Sequence, residues 1–228
     1  MARPYLSVVI PVYREPDLDA LLMHLRQTLP AAGYEIIVSD GEPGHSTLQD
    51  LADPTVVRVR SRPGRGAGLA DGAARARGEV LLFLHADTRL PVDAWEHIWS
   101  FLADPALAAG AFDLAIDSPR RPYRLIEKAV FLRSRLLGLP YGDQALFVRR
   151  EVYTALGGFA QIPLMEDVNF VRRLRRAGYR LGIVPVPVRT SPRRWEKEGL
   201  VYATIRNWFL VTLFFLGVSP DRLARWYR

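Results

Sequence analysis

The sequence predicts an α/β fold, a mainly parallel central sheet flanked by helices, and three observations lead there. Val80-Leu81-Leu82-Phe83-Leu84 is a run of five apolar residues between Gly78 and the polar cluster His85-Ala86-Asp87-Thr88, the pattern of a strand buried on both faces. Strand-like and helix-like segments alternate over short connections from Leu6 to Leu90, as parallel strands joined by helical crossovers do. The chain has 228 residues, 49% of them hydrophobic and 24% charged, which is enough for a substantial core.

The elements follow in order. Leu6-Ser7-Val8-Val9-Ile10 is the first strand, stopped by Pro11. Asp17 precedes apolar residues at Leu18, Leu21, Leu22, Leu25 and Leu29, a helix with one buried stripe that ends at Gly33. Glu35 to Val38 is the second strand, running into Ser39-Asp40-Gly41, and Val56 to Val59 is the third. Arg62 to Gly68 reads as a glycine-rich loop, followed by a small-residue helix from Leu69 to Ala76. Further on, Asp113 to Ile116 ends a strand and Asp117 to Pro122 forms a loop and hinge. A helix runs from Tyr123 to Leu137, and Tyr141 to Arg150 is a β-rich run with a polar head. Val168, Val171, Leu174 and Ala177 mark a last periodic helix before Gly178. No internal repeat or low-complexity segment is present.

Charge and cysteine usage narrow the function. A net charge of +7 and a pI near 10.0 ask for an anionic partner: nucleic acid, a phosphorylated small molecule or an anionic membrane. There is no cysteine, which excludes disulfides, thiolate metal sites and cysteine nucleophiles and agrees with a reducing cytoplasm. The start, Met1-Ala2-Arg3-Pro4-Tyr5, lacks the apolar core of a signal peptide. A cytoplasmic location is expected.

In an open α/β sheet, ligands bind beyond the carboxyl ends of the strands. Three polar clusters should gather there: Pro11-Val12-Tyr13-Arg14-Glu15, then Asp40-Gly41-Glu42 with Ser46, then His85-Ala86-Asp87. An aromatic ring, several carboxylates and adjacent glycines suit a base, a ribose and a metal-bound diphosphate. Each cluster also has a purely structural reading. Tyr13 packs, Asp40-Gly41 turns the chain, Glu15-Pro16 sets up a helix, and Asp87 caps one. In Arg62-Pro63-Gly64-Arg65-Gly66-Ala67-Gly68 the spacing matches neither a P-loop nor Gly-x-Gly-x-x-Gly. Arg65 is the expected phosphate or base contact, with the glycines allowing close helix packing. A solvated loop is the other reading.

In that order, Pro-Val-Tyr-x-Glu, strand-Ser-Asp-Gly, a glycine-rich loop and strand-x-x-Asp, the chain resembles the family 2 glycosyltransferases of GT-A fold. It is most similar to a compact bacterial branch, some members of which are linked to arsenosugar synthesis. The resemblance covers Leu6 to Trp195. It implies a nucleotide site at Pro11, Tyr13, Glu15, Asp40, Arg65, Asp71, His85 and Ala86. Asp71 stands where the family commonly has asparagine. The common Asp-x-Asp becomes His85-Ala86-Asp87 here, and the resemblance leaves the divalent cation, Mg²⁺ or Mn²⁺, to Asp87.

Glu166-Asp167 matches the family's Glu-Asp pair. Asp167 is then the general base that takes the acceptor's proton, with Glu166 positioning it. Read without the resemblance, two carboxylates at a helix start are ordinary capping, and an asparagine at Asp167 should cap about as well. Ser191-Pro192-Arg193-Arg194-Trp195 resembles the family's Gln-x-x-Arg-Trp motif with the glutamine replaced. Arg193, Arg194 and Trp195 are its diphosphate contacts, or else a basic surface loop. Asp143 and Gln144 either bind acceptor hydroxyls or cap a turn. Arg172, Arg173, Arg175 and Arg176 cannot share one helix face, so no nucleic-acid site is inferred.

The apolar stretch Trp208 to Leu216 falls well short of the about 20 residues that span a bilayer. Arg206, Arg222, Arg225, Trp226, Tyr227 and Arg228 flank it, as suits a helix lying on an anionic membrane surface. A core helix or a dimer contact is the alternative.

The expectation is one GT-A domain over residues 1–228: a nucleotide-sugar half at 1–117, an acceptor and catalytic half at 118–195, and a helical segment at 196–228. The expected activity is inverting transfer from a nucleotide-diphosphate sugar, UDP-linked by preference, to a hydroxyl or phosphate acceptor, small or lipid-linked. The rivals are a sugar-nucleotide pyrophosphorylase and a non-catalytic membrane-associated binding protein.

Overall fold

The computed structural model describes residues 4–227. Met1 to Arg3 and Arg228 lie outside the described residues. The first strand, β1 (Leu6–Val12), pairs in parallel with β2 (Tyr34–Asp40) on one side and β4 (Val80–Phe83) on the other. β3 (Val57–Arg60) extends the sheet beyond β2. Past β4 come β7 (Phe147–Arg149), β6 (Leu107–Ile116), β8 (Arg180–Thr190) and the two-residue β5 (Thr88–Arg89). β7 and β5 run against their neighbours, and every other pairing is parallel.

Alternate residues of the central strands serve two layers. Val8, Ile10, Val38 and Leu82 pack with Leu21, Leu22 and Leu25 of α1 (Leu18–Thr28) and Ile98 of α4 (Ala94–Phe101). Val9, Ile37, Leu81 and Phe83 point the other way. They meet Leu69 of α3 (Arg65–Ala73), Val152 of α6 (Arg150–Ala155) and Phe170, Val171 and Leu174 of α7 (Glu166–Arg176). Burying apolar side chains on both faces is what the five-residue run at Val80 required.

Four features depart from the sequence expectation. Arg65 to Gly68 form the first turn of α3, because glycines there let the helix lie against its neighbours. A Cβ on Gly68 would sit 3.2 Å from Pro11 Cβ, and one on Gly66 3.1 Å from Glu166 Cβ. Pro122 belongs to the first turn of α5 (Arg121–Leu136) rather than the preceding loop, as its missing N–H permits. The run from Tyr141 is a 3₁₀ turn at Gly142–Gln144 before the short β7. β8 had no sequence signal, since Pro185 and Pro187 argue against a strand. It forms with a shift in register, Val184 facing Phe112 and Pro187 facing Asp113, so that the chain bulges at this point.

The C-terminal chain forms α9 (Leu200–Phe215) and α10 (Pro220–Tyr227) after the short α8 (Arg193–Glu198). Leu210, Phe214 and Leu223 are buried against Leu164, Met165 and Val168 at the head of α7. One side of this segment is therefore core. Its other side exposes Val201, Ile205, Trp208 and Phe209. Among the described residues no helix is long and apolar enough to cross a membrane.

Candidate active site

The register Val12↔Asp40 and Val9↔Phe83 brings the carboxyl ends of β1, β2 and β4 to one edge. A cleft opens there in two lobes that share Arg65, His85, Asp87 and Arg194. Pro11, Tyr13, Glu15, Gly41 and Arg193 face the outer lobe. Tyr141, Asp143, Asp167, Trp195, Val211 and Tyr227 face the inner one.

Pairing between strands distant in the sequence brings the arginines to this edge. Thr88 of β5 pairs with Thr190 of β8, and the next N–H, that of Ser191, donates to the Asp87 carbonyl at 3.0 Å. Arg193 and Arg194 therefore emerge beside Asp87. Arg193 donates from both terminal nitrogens to Glu15, at 3.0 and 2.8 Å, and its Nε lies 3.5 Å from the Asp87 carboxylate. Trp195 stands edge-on to the buried ring of Tyr123, 5.9 Å between centroids. Tyr13 is 60% exposed, an open aromatic face at the rim of the outer lobe.

Asp167 lies in the first turn of α7. Met165 precedes the helix with φ of +66°, a left-handed conformation that costs energy for a residue with a Cβ. Asp167 Oδ1 accepts the Val168 N–H at 2.8 Å and Oδ2 the Gly142 N–H at 2.7 Å. The Arg65 guanidinium is 3.9 Å from Oδ2 and hydrogen-bonds the buried Glu166. Burial pushes the Asp167 carboxyl up, but Arg65, the two N–H groups and His85 outweigh it and leave it below the usual carboxylate range. Burial and the nearby Arg65 press the His85 imidazole down to about 4, against the pull of Asp87 and Asp167. His85 is therefore neutral at pH 7. Asp143 moves the other way, raised by burial and by Asp167 against the pull of Arg133.

Asp40, Asp71, Gln144 and Glu166 line neither lobe. Asp40 is fully buried and accepts the N–H groups of Glu42 and Leu48, at 2.9 and 3.3 Å, so it ties down the turn after β2. Asp71 is paired with Arg62 at 2.6 Å, beside a separate groove lined by Arg58, Arg60 and Arg75. The Gln144 amide is spent inside the protein: its oxygen accepts from Arg133 and Ser134 and its nitrogen donates to the Phe112 carbonyl. An acceptor hydroxyl has no access to it. Ala86 is buried but borders the outer lobe.

Sequence reasoning missed the inner lobe's wall. Asn207 and Val211 of α9 and Tyr227 of α10 form it with Leu164 and Met165. No motif marks these residues, because their position depends on how the C-terminal helices fold back onto α7.

A cation between the two lobes would find the Asp87 carboxylate, which both share, as its protein ligand. Asp87 is 26% exposed at its side chain and faces both lobes. Among the described residues no group of three or more His, Cys, Asp or Glu could hold a metal unaided. One carboxylate fits a Mg²⁺-like ion that takes its other ligands from substrate phosphates and water.

A mainly parallel sheet with a two-lobed cleft at its strand ends, where carboxylates and arginines are interleaved, is the arrangement expected of a GT-A glycosyltransferase. The sequence profile of glycosyl transferase family 2 matches residues 7–162, and the chain belongs to that family. The fold is similar to that of S. aureus TarS 1–349 in complex with UDP-GlcNAc, with TM-score 0.65 and 17% identity over 82% of this chain and 58% of that one. It is also similar to TarS 1–349 in complex with UDP, with TM-score 0.64 and 14% identity over 96% of this chain and 68% of that one. A third TarS structure gives TM-score 0.65 at 15% identity, over 96% of this chain and 41% of that one. The chain thus spans about three-fifths of the first of these. No curated protein matches it significantly.

Proposed function

We propose that this glycosyltransferase moves a sugar from a UDP-sugar to an acceptor hydroxyl with inversion, using Asp167 as general base. The observation that carries the reading is the place of Asp167: an ionised, buried carboxylate facing the inner lobe, joined through Arg65 to the outer one. Residues 1–117 supply most of the donor lobe. Residues 118–195 supply the base and the acceptor side, and 196–228 close the acceptor lobe.

The uridine lies over Pro11 and Tyr13. Arg65, Arg193 and Arg194 hold the diphosphate and offset the charge that develops on it. Arg193 exchanges its contacts with Glu15 for phosphate oxygens. The acceptor oxygen attacks the anomeric carbon as its proton passes to Asp167. The bond from that carbon to the phosphate oxygen breaks, and UDP leaves with the electron pair. A Mg²⁺ or Mn²⁺ ion held by Asp87 and the diphosphate would neutralise leaving-group charge. The exposed apolar side of α9 supports peripheral contact with an anionic membrane at its cytoplasmic face.

The test is the product formed from UDP-glucose, UDP-galactose and UDP-GlcNAc, followed by chromatography. Release of UDP with transfer or hydrolysis of the sugar is expected. Pyrophosphate as the product would move the chain to the pyrophosphorylases, and no product with no UDP binding would make it a non-catalytic protein.

A further inference from the structure

The inner lobe carries more polar chemistry than a general base needs. Besides Asp167 it presents Asp143 and His85, and His85 Nε2 and Asp143 Oδ1 are both buried with no hydrogen-bond partner. A buried polar atom left unpaired is destabilising. Two in one lobe call for an explanation, and a ligand bearing hydrogen-bond donors supplies it. The spacing is tight: a Cβ on Gly142 would stand 3.0 Å from both His85 Nε2 and Asp167 Oδ2. The backbone at Gly142 is therefore wedged between those two groups, and its neighbour in the chain is Asp143.

The charges decide what kind of ligand this is. Asp87, Asp143 and Asp167 face the lobe, against Arg65 and Arg194. Arg65 is already compensated by Glu166 beneath it. Arg194 borders the outer lobe as well, where the donor's diphosphate would claim it. A phosphate on the acceptor would then meet two carboxylates and a diphosphate, with no further cation among the described residues that line the lobe. The rest of the wall is apolar or aromatic, from Tyr141, Met165, Trp195, Val211 and Tyr227. Such a wall with a few convergent polar groups suits a compact organic ligand.

We propose that the acceptor is an uncharged, sugar-like polyol that offers one hydroxyl to Asp167 and an adjacent one to Asp143, with His85 completing the contact. This rests on Asp167 as the base and selects among the acceptors that reading leaves open. A carboxylate accepts hydrogen bonds and a protonated carboxyl can also donate one, so neighbouring hydroxyls of a polyol, which both donate and accept, satisfy Asp167 and Asp143 at once. An ionised phosphate group in that position has no donor to offer Asp167 and adds charge repulsion.

The experiment is saturation-transfer NMR on the full chain with UDP and Mg²⁺. The methyl glycosides of glucose, galactose and mannose are compared with the corresponding hexose 6-phosphates, and product from the UDP-sugars is followed by mass spectrometry. At least one neutral glycoside is expected to bind, with its 6-phosphate counterpart at least about tenfold weaker. Asp143→Asn is expected to weaken the glycoside by about 10- to 100-fold and to narrow its advantage over the phosphate. Equal or preferred binding of the phosphates overturns the proposal, as does failure of every neutral glycoside to bind. So does a folded Asp143→Asn protein with both affinities unchanged. If that variant melts below the assay temperature, the wild-type comparison alone still decides the charge class. Failure of the underlying reading looks different: glycosides bind, but no sugar nucleotide is consumed.

Discussion

Replacing Asp167 by asparagine separates the base role from the structural one, and the geometry sets both magnitudes. Each carboxylate oxygen accepts one backbone N–H, from Val168 at 2.8 Å and from Gly142 at 2.7 Å. Asparagine has one oxygen, so its NH₂ must face one of those donors. The orphaned N–H and the lost charge-assisted bond cost about 1.5 to 3 kcal/mol. For a chain of this size that lowers Tm by about 3 to 12 °C. The sequence alone suggested a variant as stable as wild type, on the reasoning that asparagine caps as well as aspartate. It does not apply, since Met165 holds the N-cap position and Asp167 reaches across to Gly142. Loss of the base lowers turnover by about 10² to 10⁴, about 3 to 5 kcal/mol of barrier. The assay pairs thermal melting with UDP release from a sugar nucleotide at 20 °C, where the variant remains folded, and with UDP binding by calorimetry. Near-normal turnover in the folded variant refutes the base assignment. An unchanged Tm refutes the hydrogen-bond account.

Three further outcomes are expected. Asp87→Ala should abolish the gain in UDP affinity that Mn²⁺ gives while keeping the fold, because the Asp87 carboxylate is held loosely, its ion pair with Arg193 being 3.5 Å long; calorimetry with and without Mn²⁺ checks it, and an undiminished gain removes the metal from Asp87. Because the His85 pKa is depressed to about 4, the unfolded chain binds a proton below about 6.5 that the native state refuses. Stability should therefore fall as pH drops from about 6.5 to about 4. His85→Gln should flatten that fall in urea titrations at stepped pH, and an unaltered slope contradicts the neutral, buried imidazole. Trp208→Ser with Phe209→Ser should weaken binding to phosphatidylglycerol vesicles without lowering Tm, because both side chains are 56% exposed; sedimentation with vesicles equal to wild type removes the membrane contact. Deleting the whole segment would not test this, because Leu210, Phe214 and Leu223 are core.

Local patterns made the donor side legible, and distant contacts concealed the rest. Strand-end residues such as Tyr13, Glu15 and Asp87 follow runs whose period and termination are written in adjacent residues, so their common edge could be read directly. Asp40 and Gln144 sit at equally suggestive positions, yet their side chains are consumed by Leu48 and by Phe112 and Ser134. Such partners lie 8 to 32 residues away, and no window on the sequence contains them. Pro185 and Pro187 hid β8 for a related reason, since a bulge absorbs their missing N–H groups only once β6 lies alongside. The same strand, through Thr88 and Thr190, delivers the arginines to Asp87. Missing it left the Arg-Trp segment recognisable by resemblance but without a mechanical reason to be in the cleft.

Arg65 is the residue through which the two lobes share one electrostatic state. Its guanidinium is held by Glu166 and lies 3.9 Å from Asp167, and it faces both lobes. Gly66 makes that contact possible, since a side chain there would press on Glu166 at 3.1 Å. With no donor bound, Arg65 helps keep the Asp167 carboxyl low, which ensures an unprotonated group but makes it a weak base. A diphosphate in the outer lobe draws on the same guanidinium. The negative charge of the diphosphate would oppose the potential of Arg65 at Asp167, so on the proposed mechanism the proton affinity of Asp167 would rise as the donor arrives. The Glu166 carboxylate, 1% exposed, is hydrogen-bonded to Arg65, and on the proposed mechanism its positioning role would act through that guanidinium. On the proposed mechanism the base would strengthen when a sugar is present to be transferred and would stay ionised when none is.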